Sequence, residues 1–384
     1  MTTWRAAMRV ERQPESDPGY QLLDDAEKPV TVVQSFLSHL VARGCSPNTV
    51  SAYCHDLLHF WRFLAAERLT WRRFRAADSL AFLQHLRSVR STRPGQRLGL
   101  TLANTGSGEP GVGLAASTIN RALAAVSSFY EYLILAGRLG RENPMEKRPD
   151  PSYARVSERH QPFMGRSSRQ RPMRRSVRVK TVRRLPRPLD DQQVDALLAA
   201  LRRARDRALI LLMLQGGLRP GEVLGLHLED IAYGRRRVVV RYRIDHPKRV
   251  RPKSLTERLV DLHEPGALAA VSEYVMRERP RDVGSPFLFL VGGKGVRRAE
   301  PLGYDALVKL FARACEKAEI REAWMTPHAL RHTHATRMWE GGMRELTLQK
   351  RLGHASIEST RLYTRVSDAE VVADYRRALG VQTS

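Results

Sequence analysis

The chain has 384 residues, enough for two or three domains that each bury a core, and carries 65 Lys and Arg against 40 Asp and Glu, a formal charge of +25. Such an excess attracts polyanions over long range and puts nucleic acid first among partners. Three scattered cysteines (Cys45, Cys54, Cys315) exclude a disulfide framework or a closed zinc site, and with no signal-peptide core and no run of ~18 apolar residues, a cytoplasmic location with no membrane partner is expected.

In chain order, residues 1–28 are polar and broken by Pro14, Pro18 and Gly19, and read as a flexible N-terminal arm. Val33, Phe36, Leu37 and Leu40 have helical spacing and stop at Gly44. Ser46-Pro47-Asn48 opens a second helix whose stripe is Tyr53, Leu57, Phe60, Trp61 and Leu64. Further helices are expected over 79–89 and 117–135, around a Gly- and Pro-rich loop over 91–113. Residues 29–145 therefore form a helical domain, in which Pro47, Asn48 and Thr49 either meet a backbone phosphate or simply cap their helix. Residues 146–186 read as a basic linker that cannot pack on itself, since no acid stands between Glu158 and Asp190. Its arginines, among them Arg174, Arg175, Arg183 and Arg184, are expected to lie along DNA phosphates.

A second domain spans 187–384. Pro188-Leu189-Asp190 announces a helix, another covers 205–215, and 238–242 with 259–262 read as paired strands. The rest alternates helical periods with breaks at Gly292-Gly293, Pro327 and Gly341-Gly342. The predicted fold is mainly α, a helical domain followed by a mixed α+β domain with one small antiparallel sheet.

Three motifs in this domain carry chemistry. Gly216-Gly217-Leu218-Arg219-Pro220-Gly221-Glu222 joins two helices, with Glu222 placed to orient Arg219 or to make an ordinary helix-start ion pair. Thr326-Pro327-His328-Ala329-Leu330-Arg331-His332-Thr333-His334 puts His328 and Arg331 three apart, a pair suited to an anion; a metal held by His328, His332 and His334 is the weaker alternative, since no acid or cysteine accompanies them. Leu352-Gly353-His354 precedes a helix carrying Tyr363, which by itself reads as a core aromatic.

Together, in this order, the motifs resemble the tyrosine recombinase, or phage integrase, family. The likeness covers roughly 185–374, and the helical region ahead resembles that family's SAM-like core-binding domain. It implies that Arg219 and Arg331 grip a DNA phosphate, Tyr363 attacks it, His328 accepts the phenol proton, His354 donates a hydrogen bond to the phosphate and a lysine protonates the departing 5′ oxygen. Lys253, five residues before Arg258, fits that lysine, and Lys248 competes because 243–251 lengthens the hairpin, an insertion similar to integrase-type transposases of mobile elements. The resemblance further implies a 3′-phosphotyrosyl intermediate, no metal or nucleotide cofactor, double-stranded DNA as partner, a tetramer on two DNA sites, accessory recombination proteins and nucleoid association. The tail over 367–379 docks on a neighbouring protomer or on its own domain. A type IB topoisomerase and a catalytically silent DNA-binding relative are the alternatives.

Overall fold

The computed structural model describes residues 8–13, 17–90, 113–145, 147–149, 173–181, 187–248, 250 and 257–353. They separate into two compact units, those below 184 and those above.

The first unit opens with an antiparallel hairpin, β1 (Arg9–Arg12) and β2 (Tyr20–Leu23), with Arg9 opposite Leu23 and Arg12 opposite Tyr20. This hairpin falls within the stretch expected to be a flexible arm. Leu22 joins the core of the unit and Val10 and Tyr20 pack against it. The turn residues that break helical period are those a hairpin needs, and four-residue strands are too short to announce themselves. Four helices follow, α1 (Thr31–Ala42), α2 (Pro47–Ala66), α3 (Asp78–Ser88) and α4 (Ala116–Leu135). Their apolar stripes meet in an aromatic core where Phe60 stands edge-to-face with Phe74 and Phe82, at ring separations of 5.0 and 5.3 Å.

Two pieces of the stretch read as a basic linker are also described. Residues 147–149 form β3 (Lys147–Pro149), antiparallel to β4 (Met173–Arg175). Beyond it Val177 and Val179 pack against the helical core, and Asn120 on α4 clasps Val179 by two hydrogen bonds of 2.9 Å, one to its carbonyl and one from its N–H. Two valines and one amide suffice to dock a stretch whose charge suggested none.

The second unit contains α5 (Asp191–Ala200), α6 (Ala204–Gly216), α7 (Pro220–Leu224), β5 (Ile231–Ala232), β6 (Arg237–Val240), β7 (Arg258–Asp261), α8 (Pro265–Glu273), α9 (Tyr304–Lys317), α10 (Pro327–Glu340) and α11 (Glu345–Leu352). The three strands form one antiparallel sheet in the order β5-β6-β7, with Val238 opposite Val260. Asp190 caps α5 through a reciprocal capping box with Gln193. Helix α6 is the hub: Ala208 to Met213 are all buried, so apolar side chains surround it and α8 and α10 pack on it. Among the described residues no helix is long and apolar enough to cross a membrane.

Candidate functional site

Helices α6 and α11 both end on a glycine in the left-handed conformation, Gly217 and Gly353, each at φ 63°. Such an ending frees the last carbonyls at the negative pole of the helix, where cations are favoured. Arginines fill these places. Arg331 on α10 donates Nη1–H to the Gly217 carbonyl and Nη2–H to that of Leu352, both at 2.6 Å. Arg219, the residue before α7, donates Nη2–H to the Gly353 carbonyl at 2.9 Å. Arg351 reaches the carbonyls of Gln215 and Asp261 at 3.1 and 3.2 Å. Side chains would not fit at either turn: a Cβ on Gly217 would lie 2.5 Å from His334 Cδ2, and one on Gly353 3.0 Å from Arg258 Nη1.

Glu222, fully buried, is the carboxylate that binds these cations together. Its Oε1 accepts from Arg219 Nη1 at 2.7 Å and its Oε2 from the Arg219 backbone N–H at 2.8 Å. Arg258 on β7 grips both oxygens, at 2.8 and 2.7 Å, and Arg331 Nη1 stands 3.9 Å away. Burial pushes the Glu222 carboxyl up, but Arg258, then Arg219 and Arg331, outweigh it and hold the pKa at about 2. Three guanidinium groups against one carboxylate leave two formal positive charges at this spot, a setting made for an anion.

Arg219 and Arg331, 112 residues apart in the chain, thus converge on one carboxylate, while the Arg219–Glu222 pair is also the helix-start ion pair that its spacing allows. His328 lies one turn before Arg331 on α10, exposed where Arg331 is buried. His334 is different. Its Nδ1–H donates to the Leu214 carbonyl at 2.9 Å and its Nε2 accepts from Arg351 Nε–H at 3.0 Å, so both ring nitrogens are committed to the protein. Burial, then the Arg351 charge, drives its pKa down to about 3, which keeps the ring neutral and takes it out of any metal set with His328 and His332. Among the described residues no group of three or more His, Cys, Asp or Glu is arranged to hold a metal ion.

Lys248 is tied to Glu300 by an ion pair of 2.9 Å. Ser46 caps α2, its Oγ accepting from the Thr49 N–H at 3.2 Å, with Pro47 in the first turn and Asn48 exposed. Arg174 and Arg175 stand on β4. Lys253, His354, Tyr363, Arg183 and Arg184 lie outside the described residues. Sequence reasoning missed Arg258, Arg351 and His334 as members of the site's frame. For Arg258 one signal was available, a charged residue beginning an apolar strand of a small sheet, where burial demands a partner.

The phage integrase family profile matches residues 187–370, and that of the phage integrase N-terminal SAM-like domain matches 33–93. Transposase A from transposon Tn554 of Staphylococcus aureus is 26% identical over 97% of this chain and 97% of its own. Tyrosine recombinase XerC of Roseiflexus castenholzii is 30% identical over 87% of this chain and 88% of its own. The solved structure of the Tn1549 transposon integrase in complex with transposon right end DNA shares the fold, with a TM-score of 0.60, 19% identity and coverage of 90% of this chain and 98% of that one. Family profiles on both units, and a relative of this identity along most of the chain, establish that the protein belongs to the phage integrase family of tyrosine recombinases, enzymes that cleave and rejoin DNA strands.

Proposed function

We propose that the protein is the recombinase of a mobile element, cutting and rejoining duplex DNA with Tyr363 as nucleophile. The observation that carries this reading is the convergence of Arg219 and Arg331 on Glu222, which preorganises two cations before any phosphate arrives. In a phosphoryl-transfer transition state, charge builds on the nonbridging oxygens, and permanently charged, bidentate guanidinium groups match it. Tyrosine is protonated at neutral pH, so His328, exposed on the same helix as Arg331, takes its proton. His354 donates to a nonbridging oxygen, and a lysine returns a proton to the 5′ oxygen. The Glu300 ion pair of Lys248 favours Lys253 for that step. The phosphate bond energy stays in the 3′-phosphotyrosyl link, and a second 5′ hydroxyl reverses the reaction without nucleotide hydrolysis.

The length-matched likeness to a transposase supports mobility of an element, and the likeness to a tyrosine recombinase supports strand exchange; the family resemblance extends this reading to four protomers on two sites. Action in the cytoplasm on the nucleoid, with accessory proteins, completes this reading. A nicked suicide duplex built from the junction of the encoding element tests it. Wild type is expected to accumulate a covalent protein–DNA adduct and Tyr363→Phe none. Equal adduct from both would remove Tyr363 from the reaction, and relaxation of supercoiled DNA without strand exchange would point to a topoisomerase.

A further inference from the structure

Arg258 takes no part in the steps just described, yet its side chain holds the frame of that site from three directions. It begins β7, is 8% exposed, and grips Glu222 in the two-pronged geometry that guanidinium and carboxylate share, at 2.8 and 2.7 Å. Its Nε–H donates to the Arg351 carbonyl at 3.0 Å. It also lies across Gly353, where an added Cβ would come within 3.0 Å of Nη1, 3.1 Å of Cδ and 3.2 Å of Cζ.

These contacts close a ring. Arg258 holds Glu222, Glu222 holds Arg219, Arg219 donates to the Gly353 carbonyl at 2.9 Å, and Arg258 covers Gly353. No member can shift without moving the others, and the residue after Gly353 is His354. An ordinary structural ion pair would join two elements; this one joins the sheet, the start of α7 and the end of α11 at the point where the chain enters the Leu-Gly-His motif. The geometry points to Arg258 as a positioning residue for strand cleavage, one that sets Arg219 and the Gly353 turn in register through Glu222. This inference rests on the proposed function.

The test is single-turnover adduct formation on the same nicked duplex across a pH series, with DNA affinity and cooperative unfolding measured alongside. The charged groups facing Glu222 are Arg219 from α7, Arg258 from β7 and Arg331 from α10. In Arg258→Gln, adduct formation is expected to slow about 100-fold, the scale of a misplacement near 1 Å, with affinity unchanged. A further acid limb should also appear beside the one that His328, as proton acceptor, gives wild type, because burial then raises Glu222 against weaker opposition. Adding Glu222→Gln to Arg258→Gln should abolish that limb. Arg258→Lys, which restores charge without the fork, should be intermediate in rate and in the position of the limb.

A wild-type rate and pH profile in Arg258→Gln would overturn the inference. So would a loss that is independent of pH, accompanies loss of cooperative unfolding and is no milder in Arg258→Lys. Should Arg258→Gln fail to fold, Arg258→Lys decides, and wild-type behaviour in it counts against the idea. Failure of the underlying reading looks different, because wild type would then give no adduct that depends on Tyr363.

Discussion

Glu222 sits among three arginines with its side chain out of solvent, a placement that without partners would neutralise it. Its folded pKa of about 2 lies below the ordinary value of 4.5, so ionised Glu222 stabilises the fold at pH above 4.5, and that contribution is lost as pH falls through the interval to about 2. The interval corresponds to roughly 3 kcal/mol, from ~1.4 kcal/mol per unit. Urea unfolding of wild type and Glu222→Gln between pH 6 and 2.5 is expected to show an acid slope in wild type that the variant lacks, and parallel curves would mean that Glu222 is not held ionised by its arginines. At this scale the motifs were legible in part. Arg219 with Glu222, and His328 with Arg331, announced themselves because three-residue spacing on a helix puts polar groups on one side. Arg351 and His334 did not, since a buried cation or imidazole whose partner is a distant carbonyl leaves no local pattern, and Arg258 offered only a charge at the start of an apolar strand.

Among elements, the helices were read nearly to their ends because apolar stripes with caps such as Ser46 and Asp190 mark both period and start. The short pieces were not. Strands β1 to β4 have three or four residues each, and β3 and β4 pair across a span rich in arginine. Composition argues about what a segment can bury by itself, and 173–181 instead borrows a surface from α4. Asn120 fixes this loan, satisfying both the N–H and the carbonyl of Val179 as a neighbouring strand would. Asn120→Ala is expected to leave both groups to water, speed hydrogen exchange at the Val179 amide by an order of magnitude or more, and cost about 1–3 kcal/mol locally. Unchanged protection at Val179 would show that the two valines dock the segment without the amide clasp.

For the molecule as a whole, each unit has its own apolar core, so neither needs the formal charge of +25 to fold; that charge must be tolerated for another reason. Inside the second unit the cations are used locally, three of them around Glu222. Between Glu158 and Asp190 there is no acid to answer the arginines, and on the proposed function DNA phosphates supply their counter-charge. Each phosphate neutralised releases condensed counterions, and log K falls against log salt with a slope of about −0.9 per contact. If Arg183 and Arg184 each meet a phosphate, replacing both by Gln should flatten the slope by about 2 while weakening binding alike for every duplex sequence, because backbone contacts carry no base information. Anisotropy titrations of a labelled duplex over a salt series read this directly. A slope equal to wild type would leave these two arginines solvated in the complex, and a loss confined to one sequence would assign them to base readout instead.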